Sequence, residues 1–204
     1  GTMFGLGTEE LSDRDAMPDA VKLHFAARLA CQTRNADGLE AIVGEYFQVA
    51  CEIEQFVGNW IRLPEEYNAS LQRSSARGQL GLSAVVGPRV WDRQSKFRVR
   101  LGPLSFQDYG QFLPDGRGLL QLAAITKNYI GDELLWDLNL ILRKSEVPQT
   151  KLNGRSKLGW TTWLVSAEPA SDRADLCLDP TFRAGPSDRS GQNVYKPGKT
   201  RENR

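Results

Sequence analysis

The sequence has little of the chemistry that enzymes and metal proteins use, with one histidine and three cysteines among 204 residues. His24 lies among apolar residues of a predicted helix, whereas nucleophilic triads and most zinc sites need imidazole with converging partners. The cysteines are an odd set without close spacing, which favours free thiols in a reducing compartment: Cys31, Cys51 and Cys177. We therefore expect neither a metal site nor a disulfide framework.

The chain also lacks an excess of charge and long apolar runs. Its 26 basic and 25 acidic residues leave a net charge of +1, so no overall field directs it to nucleic acid or to an anionic membrane. No apolar run approaches the roughly 20 residues that a membrane helix needs. The first residues do not follow the basic and then apolar pattern of a signal peptide. We expect no nucleic-acid partner and no membrane insertion.

Two patterns that resemble phosphate-binding loops are incomplete. The Gly-Lys-Thr tripeptide at 198–200 resembles the end of a P-loop, but Asn193 stands where the motif requires glycine. The glycines at 5 and 7 begin a dinucleotide-binding pattern, but Glu10 takes the place of its third glycine. Clustered carboxylates on the predicted strands are typical of solvated strand faces. The sequence therefore predicts no catalytic residue, no cofactor and no enzymatic activity.

Hydrophobic spacing predicts an α+β fold, an antiparallel or mixed sheet with packed helices. Helices are expected at 20–31, 36–47, 106–113 and 117–130, and strands at 49–63 and 134–143. The first strand should carry a bulge near 55–58, where the apolar phase slips. The helix-then-strand order recurs at an offset of 83 residues, so two pseudo-repeated halves remain an alternative to chance.

Composition divides the chain into three parts. Residues 1–16 are predicted to be a lead-in segment, 17–166 the α+β domain, and 167–204 an extended to disordered C-terminal tail. The tail prediction rests on residues 183–204, whose polar composition cannot bury enough surface to offset the entropy of ordering. Residues 64–83 lack periodicity and are predicted to be a long surface loop that grips a partner.

The segment at 84–104, AVVGPRVWDRQSKFRVRLGPL, predicts a hairpin of two strands around a polar turn at 92–95. In its second strand apolar and cationic residues alternate, so one face is apolar and the other basic. The candidate core residues are Trp91, Phe97, Val99, Leu101, Trp136 and Leu138. Arg98 and Arg100 are expected to face an acidic partner. An alternative function is a nucleic-acid or anion-binding module that uses the basic strand at 96–100.

Five blocks in this order resemble the TssG family (also ImpH or VasB) of type VI secretion baseplate subunits. They are FGLGT at 4–8, EQFVG at 54–58 with Trp60 and Leu-Pro at 63–64, GPRVWDRQSKFRVRLGPLS at 87–105, LGWTTWL at 158–164, and a final block ending in LCLDP at 176–180. The resemblance spans roughly residues 3–180. Family chains begin upstream of FGLGT, so the sequence resembles the C-terminal portion of the family pattern.

The resemblance implies a structural protein of a contractile injection system. Such a subunit belongs to the cytoplasmic baseplate docked at the inner membrane, in a heteromeric complex. The implied partners are TssF, TssE and the TssK adaptor, with the VgrG hub as a further contact. Trp160 and Trp163 are candidate partner residues because tryptophan anchors are enriched in interfaces. The other candidates are Arg98 and Arg100 and, in the predicted loop, Glu65, Glu66, Tyr67, Arg73 and Arg77.

Overall fold

A computed structural model describes residues 15–64, 87–149, 156–164 and 169–180. Five α-helices, six strands and one 3-10 turn follow one another along these residues. In chain order they are α1 Asp19–His24, α2 Ala26–Ala30, α3 Ala36–Phe47, β1 Cys51–Glu54, β2 Asn59–Arg62, β3 Arg89–Asp92, β4 Lys96–Leu104, α4 Phe106–Gln111, α5 Arg117–Ile130, β5 Leu135–Leu142, the turn Lys144–Glu146, and β6 Arg173–Leu178.

The strands form two sheets. The larger sheet has the order β1-β4-β5-β6, with β4 and β5 parallel and both outer strands antiparallel to their neighbours. The smaller sheet is the antiparallel pair β2–β3. This confirms the α+β prediction with a mixed sheet. The units α3–β1 and α5–β5 lie on either side of β4 and their strands run in opposite directions, and a pseudo-repeat stays a prediction.

The apolar core lies between the helices and one face of the larger sheet. β4 alternates strictly at its start, and Phe97, Val99 and Leu101 are buried there. Trp136 and Leu138 of β5 are buried on the same face as their register partners Phe97 and Val99. α3 and α5 each bury one apolar stripe against the sheet, and the residues of these stripes are Leu39, Ile42, Val43, Leu119, Leu122, Ile125 and Tyr129. Five of the six candidate core residues are therefore buried; the sixth, Trp91, is not.

The predicted helix at 20–31 is two short helices. Phe25 separates them with ψ at 14°, outside the range of a regular helix, and its side chain is 5% exposed. The chain thus changes direction at the residue that enters the core. The next two helices begin as expected, because Asn35 accepts a hydrogen bond from the Gly38 amide at 3.1 Å, and Ser105 accepts one from the Asp108 amide at 3.1 Å.

The predicted strand at 49–63 is divided between the two sheets. β1 ends at Glu54, Phe56 adopts a left-handed φ of 59°, and β2 begins at Asn59. From Glu54 to Asn59 the chain advances five residues, while the opposite strand advances six, from Arg98 to Asp92. The phase slip read from the sequence therefore marks a real irregularity, at which the chain passes from one sheet to the other.

The predicted start of the tail at 167 is wrong. β6 is the fourth strand of the larger sheet, where Leu178 lies opposite Leu138 and Leu176 opposite Leu140. Both leucines of β6 are at most 6% exposed. They are two residues apart in the sequence because alternate residues of a strand point to the same face of the sheet. The sequence pattern did not predict this strand, because only two apolar residues alternate there. Residues 1–14 and 181–204 lie outside the described residues.

Within the described ranges, no helix is long and apolar enough to cross a bilayer. The longest, α5, has 14 residues, against roughly 20 for a membrane-spanning helix.

The three cysteines are free, and we expect them to differ in reactivity. Burial raises the pKa of Cys51 to about 12 and also raises the pKa of Cys177, so both thiols remain protonated at neutral pH, whereas Cys31 is exposed. Because the thiolate is the reactive form, an aromatic disulfide reagent at pH 8 should label one thiol quickly and the other two only after unfolding in guanidinium. Three equally fast reactions in the folded protein would contradict these burial assignments.

Candidate interaction surface

β2 and β3 form a two-stranded extension beside the larger sheet, which we call the aromatic arm (residues 59–62 and 89–92). β1 leads into β2, and β3 leads into β4, so the arm and the larger sheet are built from the same two chain segments. The ladder continues beyond the arm, where the Leu63 amide donates to the Pro88 carbonyl at 2.9 Å. The arm is thus a direct continuation of the β1–β4 pair.

Two tryptophans face each other across the arm. Trp60 lies opposite Trp91, with ring centroids 5.2 Å apart and planes at 62°. They are 59% and 48% exposed, respectively. A Cβ on Gly58 would lie 2.0 Å from the Trp91 ring, so only glycine lets that ring lie against the backbone. The blocks EQFVG-x-W and GPRVWD are therefore the two sides of one aromatic pair.

The opposite face of the arm is apolar as well. Ile61 lies opposite Val90, and each is 38% exposed. A two-stranded ribbon is at best marginally stable on its own, and contiguous exposed apolar surface marks interaction sites. The arm exposes such side chains on both faces, which suits it to insertion against a partner.

The polar turn at 92–95 fixes the base of the arm. The Asp92 carboxylate accepts hydrogen bonds from the Ser95 hydroxyl, from the Gln94 amide at 3.1 Å and from the Ser95 amide at 3.0 Å. These hydrogen bonds, that of the Ser95 side chain above all, hold the pKa of Asp92 below its usual value. Opposite the turn, the Val57 amide donates to the Lys96 carbonyl at 2.9 Å. The sequence Asp-Arg-Gln-Ser therefore sets the angle at which the chain enters β4.

The assignment of Trp91 to the core is wrong, and so is the hairpin between β3 and β4. β3 pairs with β2, and β4 pairs with β1 and β5. The alternation of β4 does not continue through the turn to Trp91, because the chain leaves the larger sheet at that turn. The available signal was the polar setting of both tryptophans, since Asn59, Arg62, Arg89 and Asp92 occupy half of the eight arm positions.

Arg98 lies on the sheet face opposite the helices and binds a carboxylate of its own chain. Its Nε and Nη2 donate to Asp137 Oδ1 and Oδ2 at 2.6 and 2.9 Å. Asp137 is 7% exposed and also receives Lys96 Nζ at 3.0 Å. The hydrogen bond to Asp137 raises the pKa of the Arg98 guanidinium above its usual value. The pair is bidentate, the geometry that gives arginine–carboxylate pairs their strength.

Arg100 makes a more exposed ion pair on the same face. Its Nη1 lies 3.0 Å from Glu52 Oε2, and Arg98 Nη1 lies 3.8 Å from Glu54 Oε2. The basic strand at 96–100 is therefore matched by Glu52, Glu54 and Asp137. The expected free cationic face toward an acidic partner is absent in this described region. The same pairing removes the basis for a nucleic-acid or anion-binding module there.

Trp160 and Trp163 pack against α4 and the end of the sheet. The Tyr109 hydroxyl donates to the Trp160 carbonyl at 3.1 Å, and the Tyr109 and Trp163 rings are 5.9 Å apart. Trp163 Nε1 donates to Asp175 Oδ2 at 3.2 Å, which ties the segment to β6. The most exposed apolar side chains of LGWTTWL are instead its end residues, Leu158 at 90% and Leu164 at 97%.

The remaining candidate residues lie outside the described residues. They are Glu65, Glu66, Tyr67, Arg73 and Arg77, all in the segment 65–86 between β2 and β3. That segment connects the two strands of the aromatic arm, so the predicted loop and the arm are one continuous feature of the chain.

The described part of the chain contains no group of three or more His, Cys, Asp or Glu side chains that could hold a metal ion. His24 Nε2 lies 2.8 Å from Glu45 Oε1 on the surface.

The geometry of the aromatic arm, with its exposed apolar side chains and paired backbone, suits recognition of another protein.

Comparison with known proteins gives one family and two related structures. Residues 1–165 match the family described as Type VI secretion, TssG. No curated protein sequence matches the chain. A chain of the TssK-TssF-TssG baseplate subcomplex, solved by cryo-electron microscopy, shares the fold with a TM-score of 0.67 and 20% identity, over 99% of this chain and 82% of that one.

A chain of a second solved structure, the baseplate complex from the type VI secretion system, aligns with a TM-score of 0.61 and 20% identity. The alignment covers 98% of this chain and 57% of that one. At this identity the two likenesses establish a shared fold.

Proposed function

Because the chain belongs to the TssG family of type VI secretion proteins, we propose that it is a structural subunit of the secretion baseplate. The family match over residues 1–165 supports this role, as does the fold shared with chains of two baseplate complexes. The role is non-catalytic: the chain contributes surfaces that hold other subunits. Its place is the cytoplasmic baseplate at the inner membrane.

The proposed partners are TssK and TssF, the proteins named with TssG in the subcomplex that shares the fold. TssE and the VgrG hub are further proposed contacts in the assembled baseplate.

The aromatic arm is the observation that carries the proposal. Trp60 and Trp91 lie half exposed on one face, with Ile61 and Val90 on the other. Tryptophan is enriched among the residues that dominate binding energy, because its large rigid area is buried at little cost in conformational entropy. We propose that the arm and the connecting residues 65–86 form one contact surface, with TssK as its first candidate partner.

Co-purification tests the proposed function. The full chain should be co-expressed with TssF and TssK from the same secretion system and passed over a size-exclusion column at about physiological salt. We expect the chain to elute in a stable complex with these proteins, because a structural subunit stays bound to its neighbours in the assembly. A chain that elutes alone in the presence of both proteins would refute the baseplate role. A hexahistidine-tagged unrelated protein in place of the chain controls for adventitious capture.

A further inference from the structure

A surface cavity of about 150 Å³ lies beside the base of the aromatic arm, where α3 begins, α5 ends and β1 and β4 leave the larger sheet. Its walls are apolar: Leu39, Ile53, Phe56, Phe97, Tyr129 and Leu134. We call it the cation-rimmed pocket. An apolar cavity of roughly this volume holds one benzene ring, so the pocket suits a single aromatic or leucine-sized side chain.

The rim of the pocket is positively charged. It contains Arg34 and Lys96, three amide side chains, and no carboxylate among its lining residues. The lining thus has an excess of basic residues, although the whole chain has nearly equal numbers of basic and acidic residues, 26 and 25. The pocket therefore favours an occupant that carries negative charge next to its apolar group.

Of the two rim cations, Arg34 has no carboxylate partner among the described residues, whereas the Lys96 amine is paired with Asp137. The Arg34 guanidinium donates to the carbonyls of Arg28 and Leu29 at 3.1 and 2.8 Å, and its central carbon lies 5.1 Å from the Tyr129 ring centroid. Carbonyls and a ring hold this cation in place but do not cancel its charge. Lys96 Nζ lies 3.0 Å from Asp137 Oδ2, on the sheet face away from the helices, so the unpaired positive charge at the pocket is that of Arg34.

The backbone at Phe56 also marks this pocket as a binding site. This residue has a φ of 59°, in the left-handed region that glycine and asparagine adopt far more readily than an aromatic residue. Its side chain is 66% exposed, so burial in the core does not offset the backbone strain. The turn between the two sheets needs this backbone conformation but not an aromatic side chain, and residues held in such φ regions are concentrated at binding sites. The Phe56 side chain is one of the walls of the pocket.

We propose that the cation-rimmed pocket receives one apolar side chain from an acidic segment of a neighbouring baseplate protein. The inference rests on the proposed function and adds a contact separate from the Trp60–Trp91 pair. The apolar group occupies the cavity, and a flanking carboxylate pairs with the Arg34 guanidinium at its rim.

The test measures the affinity of the full chain and its variants for full-length TssF and TssK, at low and high salt. Phe56→Asn removes the pocket wall at a position whose φ suits asparagine, so its melting temperature should equal or exceed that of the parent. Arg34→Glu reverses one rim charge. We expect each variant to bind one of the two partners at least tenfold more weakly, and the Arg34→Glu loss to shrink at high salt. Leu120→Asn, at a 45% exposed position on α5 that does not line the pocket, is the matched control and should bind as the parent does.

A scan of overlapping peptides from TssF and TssK then identifies the occupant. Peptides that bind the parent chain but not the Phe56→Asn variant should contain an apolar residue flanked by Asp or Glu. Parent-like affinity of both variants for both partners would overturn the pocket proposal while leaving the baseplate role intact. Selected peptides without acidic residues would overturn it too. If the parent chain binds neither partner, the proposed function itself fails.

Discussion

Replacing Arg98 with glutamate should lower the free energy of unfolding by about 3–5 kcal/mol, because it leaves the buried Asp137 carboxylate without its bidentate partner. The Asp137 side chain is 9% exposed and accepts two hydrogen bonds from the guanidinium. The substitution removes both and places a second carboxylate beside it. Lys96 remains 3.0 Å from Asp137 but cannot supply the bidentate geometry. The loss is measured by urea denaturation followed by circular dichroism.

Arg100→Glu is the matched control for that experiment. It lies on the same strand and face, but its partner Glu52 has a 66% exposed side chain. An exposed pair contributes about 0–1 kcal/mol, so this variant should unfold close to the parent. Equal losses for the two variants, or a neutral Arg98→Glu, would show that the Arg98–Asp137 pair is not the buried link we describe.

Trp91→Ala should weaken partner binding strongly while lowering folding stability only slightly. The ring is 48% exposed and its aromatic contact is Trp60, so truncation should cost about 1 kcal/mol of folding free energy or less. In the complex, loss of a buried tryptophan anchor costs about 2 kcal/mol or more, which corresponds to a binding constant weaker by roughly 30-fold. Isothermal titration calorimetry of the parent and the variant against the co-purifying partner measures this loss of affinity.

Trp136→Ala is the tryptophan control. Trp136 is 8% exposed and its ring stacks on Phe97, with centroids 6.3 Å apart. Its truncation should cost about 3–5 kcal/mol, as for other buried aromatic side chains. A Trp91→Ala variant that loses as much stability as Trp136→Ala would place Trp91 back in the core and remove the basis for the arm as a contact surface.

The elements with strong local periodicity could be predicted from the sequence. α3, α5 and β5 follow the expected ranges within one or two residues, because each buries one continuous apolar stripe against the same core. Ser105 and the polar turn at 92–95 also signalled their structures locally, through side-chain hydrogen bonds to the next backbone amides. Local signals of this kind do not depend on the pairing of distant strands.

Features that depend on distant pairing could not be predicted. The alternation of β4 places Arg98 on the face away from the core, but its carboxylate partner lies 39 residues further along on β5. The arm depends on a turn of the chain out of the larger sheet at Phe56 and on pairing between Trp60 and Trp91. β6 has only Leu176 and Leu178 to mark it, too short a pattern to distinguish from a loop.

Site-specific photo-crosslinking tests the central claim that the aromatic arm contacts a baseplate partner. A benzophenone-bearing amino acid replaces Val90, which is 38% exposed on the arm, and Glu52, on the polar face of the larger sheet, serves as the second position. The complex with TssF and TssK is irradiated and the products are identified by mass spectrometry. We expect a crosslink from position 90 to TssK and a much weaker one from position 52. A crosslink from position 52 alone, with none from position 90, would contradict it.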